Sequence, residues 1–194
     1  LYRDGRPVLI DAGVEAYSSK TFSPDRYDIW TMQSGYHNLP TVNSVMQEPG
    51  KRFAARDLSY AADDASASLT LDIADAYPQE AGLRTWRRTV TLNRGCDVRI
   101  ADTFETSEPA EIVLNLLTPC KVVVGTAGSI DLEEQTLGSG LPSGAAQLTY
   151  DPDALTASVE SIDVTDGRLK GIWGEKLTRI LLKVDKPISS GEIA

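Results

Sequence analysis

The sequence contains a single histidine, His37, only two cysteines, and no long apolar run. One imidazole excludes every metal cage or proton relay that draws two histidines from this chain, and two thiols exclude a four-thiolate zinc site. No stretch approaches the roughly 20 apolar residues of a spanning helix, and no basic segment followed by an apolar one marks a secretion signal. A Gly-x-Ser-x-Gly elbow is absent, as is a phosphate-cradling glycine loop leading into a helix. Positive charge is also scarce. With 19 Lys+Arg against 28 Asp+Glu the net charge is -9, so the overall field repels nucleic acid and anionic membranes.

Helical periodicity is nearly absent as well, whereas short alternating runs bounded by Gly, Pro, Asn and Asp recur along the 194 residues. This spacing predicts an all-β chain, an antiparallel β-sandwich forming one domain over residues 1–194. Burying roughly 70% of the unfolded surface is enough at this size to build a core without staples. Strands are expected at 1–3 and 7–10, around an Asp4-Gly5 hairpin turn, then at 41–45, 52–60, 67–76, 84–92, 98–105, 111–117 and 121–124. Later ones are expected at 147–150, 155–162 and 177–184. Residues 11–40, with Tyr17, Phe22, Tyr27, Trp30 and Tyr36 at no fixed period, read as a long aromatic-rich packed loop. The Gly/Ser/Pro stretch 137–145 reads as a surface loop.

One hairpin can be set in register. On 84–92 the apolar face Trp86, Val90, Leu92 is interrupted by Arg88, and on 98–105 the face Val98, Ile100, Phe104 is interrupted by Asp102. Centring the turn on Gly95 sets Arg88 opposite Asp102, a partly buried ion pair with a structural role. A further turn near Glu108-Pro109 would bring Cys96 and Cys120 together, either as a disulfide or as two buried free thiols.

Asp11 ends the run Val8-Leu9-Ile10, a strand-end carboxylate suited to capping a loop or to binding a metal or substrate. With His37 it makes half of a metal site, and the third protein ligand cannot be a second histidine of this chain.

The run Tyr2-Arg3-Asp4-Gly5-Arg6-Pro7-Val8-Leu9-Ile10-Asp11-Ala12-Gly13, followed by Tyr17, Arg26-Tyr27, Gln33-Ser34-Gly35-Tyr36-His37-Asn38-Leu39-Pro40 and Met46-Gln47, resembles the heparinase II/III-like polysaccharide lyases. Trp86-Arg87-Arg88-Thr89-Val90, Ile100-Ala101-Asp102-Thr103-Phe104 and Leu117-Thr118-Pro119-Cys120 continue the resemblance through their C-terminal β-sandwich, of supersandwich-like architecture. The resemblance implies that Asp11 and His37 are ligands of a metal, usually zinc, whose other histidine lies upstream of Leu1. It also implies that the catalytic tyrosine belongs to an N-terminal α-toroid, so that this chain is a fragment of a larger lyase with no catalytic residue of its own and an incomplete metal site that holds zinc weakly or not at all.

The implied reaction is β-elimination at a uronic acid, in which the carboxylate is neutralised, the C5 proton removed and O4 protonated as it leaves. The implied partners are the chain's own α-toroid and an anionic polysaccharide of heparin or heparan-sulfate type, or a related one. The implied location is periplasmic or secreted. Tyr27, Trp30 and Tyr36 are candidates to border a sugar groove. Lys51, Arg52 and Arg56, and Arg84, Arg87, Arg94 and Arg99, form local basic groups better explained as solvated strand faces. The rival reading is a non-catalytic carbohydrate-binding or adhesion module.

Overall fold

Asp4 and Gly5 both take positive φ, 51° and 76°, the combination a tight two-residue hairpin turn requires. They join β1 (Tyr2–Arg3) to β2 (Arg6–Pro7) at the start of a computed structural model that describes all 194 residues. The strands that follow are β3 (Pro40–Val42), β4 (Arg56–Ala62), β5 (Ser66–Asp72), β6 (Leu83–Asn93), β7 (Asp97–Ala110) and β8 (Ile112–Thr118). After these come β9 (Lys121–Val124), β10 (Ser129–Glu133), β11 (Ala146–Thr149) and β12 (Leu155–Asp163). A short helix α1 (Gly167–Trp173) precedes β13 (Lys176–Val184) and β14 (Ile188–Ile193). The sheets are antiparallel, and the fold class is the all-β sandwich class expected. The chain divides into two compact units, residues 1–41 with 113–185, and residues 42–112 with 186–194.

The first unit contains the β1-β2 hairpin, a β11-β10-β9 sheet and a β12-β13-β8-β3 sheet. Its core joins Ile10, Ala12, Leu117, Val164, Leu169 and Leu177, with Trp30, Ile162 and Trp173 packed against them. Helix α1 escapes a periodicity reading because it is seven residues long and buries only Leu169. It starts on Asp166, whose carboxylate accepts from the Leu169 amide at 2.9 Å. The stretch 137–145 is more closely packed than a surface loop. Leu137 and Ser143 are buried, and a Cβ at Gly138 would lie 1.9 Å from the Lys170 carbonyl, so only glycine fits there.

The second unit is built on a β14-β7-β6-β5-β4 sheet. The β6/β7 register is the expected one: Trp86 faces Phe104, Arg88 faces Asp102, Val90 faces Ile100 and Leu92 faces Val98. Arg88 donates from Nε to Asp102 Oδ1 at 2.7 Å and from a terminal nitrogen to Oδ2 at 2.6 Å, a bidentate fork. Both residues are buried. Beside them Trp86 stacks on Phe104 at 4.8 Å.

Several expected boundaries move. Asn43 and Ser44 take positive φ, so the third strand stops at Val42 instead of running to 45. Asp57, also at positive φ, lies at a register shift between Arg56 and Ser59, and residues 52–55 are not strand. Asp72 accepts from the Ala74 amide at 2.8 Å and turns the chain into a 3-10 turn, Ala74–Ala76, where strand was expected. β10, five residues long, was not read as a strand although Ile130 and Leu132 alternate with polar residues, and the Ser/Gly-rich β14 carries too little apolar alternation to be legible.

The expected turn at Glu108-Pro109 does not form. β7 runs through it to Ala110, and β8 belongs to a different sheet, so the two are not hairpin partners. The premise for bringing the cysteines together is therefore lost. Cys96 and Cys120 are both free; Cys96 is exposed rather than buried, and Cys120 is buried with its thiol directed at the Gly144 carbonyl, 3.3 Å away.

Because the Arg88-Asp102 pair is dry and bidentate, Arg88→Met or Asp102→Asn alone should destabilise the protein by about 3–5 kcal/mol, each leaving an uncompensated buried group. Replacing both with apolar residues of similar volume should recover most of that loss. Urea unfolding of the two single variants and the double variant measures both effects.

Candidate functional site

Residues 11–40 form four successive 3-10 turns, Lys20–Phe22, Pro24–Asp28, Trp30–Met32 and Ser34–Tyr36. Local polar side chains hold them. The Ser23 hydroxyl accepts from the Asp25 amide at 3.1 Å and donates to the Lys20 carbonyl at 3.0 Å, while Pro24 sets the first φ of its turn. Thr21 is buried and accepts from the Ser18 amide at 3.0 Å.

Asn38 ties the end of this loop to the sheet. Its Nδ2 donates to the Ile10 carbonyl at 3.0 Å, and its Oδ1 accepts from the Leu117 amide at 3.0 Å. The Ile10 amide itself donates to the Leu117 carbonyl at 2.9 Å, so one amide side chain extends the pairing where the short first strands stop. The strand expected at 7–10 stops at Pro7, so Asp11 does not end a strand as expected but follows the Ile10 anchor, and His37 precedes the Asn38 anchor. The structure brings them together: His37 Nδ1 lies 2.7 Å from Asp11 Oδ2, and His37 Nε2 lies 3.2 Å from the Thr31 carbonyl. The other Asp11 oxygen accepts from the Gly13 amide at 2.8 Å.

These contacts limit where protons can be. A carbonyl and an ionised carboxylate both only accept, so a neutral imidazole, with one N–H, can donate from Nδ1 to Asp11 or from Nε2 to Thr31 but not to both, and the shorter Nδ1 contact has the stronger claim on that proton. With the Asp11 side chain 63% exposed, the pair contributes at most about 1 kcal/mol to stability. Tetrahedral zinc bound by nitrogen and carboxylate oxygen places neighbouring donors about 3.4 Å apart, so these two atoms would have to separate by about 0.7 Å to share one. No cluster of three or more His, Cys, Asp or Glu side chains placed to hold a metal is present. By itself the pair supplies two side chains that could donate to a metal and no third.

Packing distinguishes the aromatic candidates. Trp30 lies against the core, and Tyr36 meets it edge to face at 5.4 Å. The Arg179 guanidinium lies 4.4 Å over the Tyr36 ring, donates to the Gly35 carbonyl at 3.0 Å and is held by Glu160. Tyr27 stays 42% exposed, with the Arg26 guanidinium 5.4 Å above it. Arg179 and Glu160 were missed in the sequence, although an arginine interrupting the apolar run Lys176–Val184 was a signal of the same kind as Arg88. Trp173, which donates to the Ala12 carbonyl at 2.9 Å, and Asp166, which accepts from the Ala16 amide at 3.0 Å, also hold the loop.

Much of the expected basic surface is engaged locally. Arg56 binds Asp75, Arg84 binds Glu105, and Arg52 covers Phe53.

No protein-family model matches the sequence, and no curated protein does. Solved structures do match. A mutant of heparan sulfate lyase HepC from Pedobacter heparinus aligns with 99% of this chain at a TM-score of 0.71 and 16% identity, and a heparinase III aligns with 99% at 0.70 and 14%. The chain spans 28% and 27% of those two proteins. The likeness is one of fold.

Because Asn38 uses donor and acceptor at once, Asn38→Asp, which loses the donor, and Asn38→Ala should each loosen the loop and cost about 1–3 kcal/mol. Amide exchange of residues 11–39 should rise in both variants while that of β6 and β7 does not. The Leu169 amide, followed by that of Ala16, holds the Asp166 carboxyl below its ordinary range. A depressed value contributes stability above the unfolded-state range and loses it as pH falls through the folded value. Asp166→Asn should therefore flatten the acid limb of the stability-pH curve below the ordinary aspartate range, as read by thermal melts across that range.

Proposed function

We propose that this chain is the C-terminal β-sandwich domain of a polysaccharide lyase that cleaves uronic-acid-containing glycans, of heparin or heparan-sulfate type or a related one, by β-elimination. The observation that supports this most strongly is the coincidence of two independent likenesses. The backbone matches heparan sulfate lyase HepC and heparinase III over 99% of its length, and residues of the sequence resemblance, Asp11 and His37, meet at 2.7 Å.

In this reading, removal of the C5 proton and protonation of O4 are carried out by residues of an α-toroid elsewhere in the same protein. Nothing in this chain is assigned as base or acid. The sandwich contributes a rigid wall, with the Asn38 clamp holding His37 and Asp11 in place. Zinc held there by His37 and Asp11 would couple the loop to the rest of the fold. It would need at least one further ligand from beyond this chain. The parent protein is proposed to act in the periplasm or outside the cell, where such glycans are met.

The longer protein should release unsaturated uronate products, seen by their ultraviolet absorbance, while residues 1–194 alone release none. His37→Ala in the longer protein should lower bound zinc, measured by elemental analysis. Activity in residues 1–194 alone, or a longer protein with no eliminase activity on any uronate glycan, would refute the reading.

A further inference from the structure

The five-stranded sheet of the second unit has two unlike faces. On one, the Thr70 and Thr89 hydroxyls bond at 2.9 Å, and Ser68, Thr91 and Arg99 stand in the neighbouring row, a polar surface suited to water. The other begins as core, with Trp86 fully buried beside Phe104 and the Arg88-Asp102 fork next along the strands. Two residues further on, Tyr60, Leu69, Val90 and Ile100 form one cross-strand row, and the row beyond it ends in Leu92 and Val98. No charged side chain stands in either row, yet Tyr60 is 71% exposed and Leu92 41%. An apolar sheet face that continues a core is normally covered. The edge beside these rows is open as well. β4 ends the sheet, and the Asp63 amide donates to the Ser66 carbonyl, so alternation turns the backbone groups of Tyr60 and Ala62 away from β5.

We infer that this face of β4–β7 is a docking surface for the part of the longer protein that precedes Leu1. The inference rests on the reading of the chain as the C-terminal domain of a larger lyase, and adds to it the surface that joins the domain to the rest. The chain spans 28% of the matched HepC mutant, so most of such a protein lies outside it. That remainder is tethered to the domain and therefore held at high effective concentration beside it. An uncharged apolar face suits such a permanent contact, because lasting interfaces resemble a core cut in half. A second copy suits it less. Pairing two copies along the open edge about Tyr60 would set Asp57 of each against Asp63 of the other, like charges in a chain of net charge -9.

Hydroxyl-radical footprinting, read by mass spectrometry at Tyr60, Leu69 and Leu92, compares residues 1–194 with the longer protein. The labelling rate at Tyr60 should fall several-fold in the longer protein. Combined Leu69→Lys and Leu92→Lys should lower the melting temperature of the longer protein by several degrees and change that of residues 1–194 little, since both side chains are exposed there. Equal labelling of Tyr60 in the two proteins overturns the proposal. A dimer of the longer protein that the double substitution dissociates also overturns it, by assigning the face to a second copy. Eliminase activity is read separately. A longer protein that cleaves uronates while Tyr60 stays fully labelled loses only the docking surface, and one that protects Tyr60 without eliminase activity loses only the lyase reading.

Discussion

One amide side chain determines the geometry of the candidate site. Asn38 donates to Ile10 and accepts from Leu117, and so continues the strand pairing of the first unit at the place where its short first strands run out. The Ile10 amide is held by the Leu117 carbonyl, so three hydrogen bonds lock Ile10 against β8. Asp11 follows one anchor and His37 precedes the other. Their 2.7 Å approach is thus a consequence of backbone anchoring, more than of the attraction between an exposed carboxylate and an imidazole, which water screens.

Two acid-base pairs of similar short distance have opposite chemical characters. Arg88 and Asp102 are buried, and the guanidinium fork meets both carboxylate oxygens, so the pair is closed and can do little but specify the register of β6 and β7. His37 and Asp11 are partly solvated, and the two imidazole nitrogens face two acceptors, the Asp11 carboxylate and the Thr31 carbonyl. That pair is open to solvent, and a single imidazole proton cannot serve both acceptors. Exposure and donor count, not distance, separate the structural pair from the candidate site.

The aromatic residues divide in a similar way. Trp30 and Tyr36 are covered, one by the core and the other by Arg179, whose guanidinium also binds Gly35 and Glu160. Tyr17, ahead of the first 3-10 turn, and Phe22, at its end, face water; the side chains that hold that turn, Thr21 and Ser23, use local polar contacts rather than the rings. A single loop therefore serves both as packing for the first unit and as an exposed surface.

The alternation of apolar residues was enough to establish an all-β chain, the hairpin at Asp4-Gly5 and the Arg88-Asp102 register, because each depends on neighbours within one or two strands. The resemblance of the residues around Asp11 and His37 was likewise legible. The boundaries that failed, at 41–45, 52–60 and 67–76, lie where positive-φ residues or the Asp72 side chain redirect the backbone, local choices that apolar patterning does not encode. The supposed turn at 108–109 failed because which sheet a strand joins is decided by pairing with distant segments. Tertiary structure alone decided that Arg179 covers Tyr36, that Asn38 bridges Ile10 and Leu117, and that Tyr17 and Phe22 stay exposed. Those contacts join residues far apart in sequence, Asn38 to Leu117 and Arg179 to Tyr36, or depend on what the fold leaves uncovered, and such facts exist only once the chain has closed on itself.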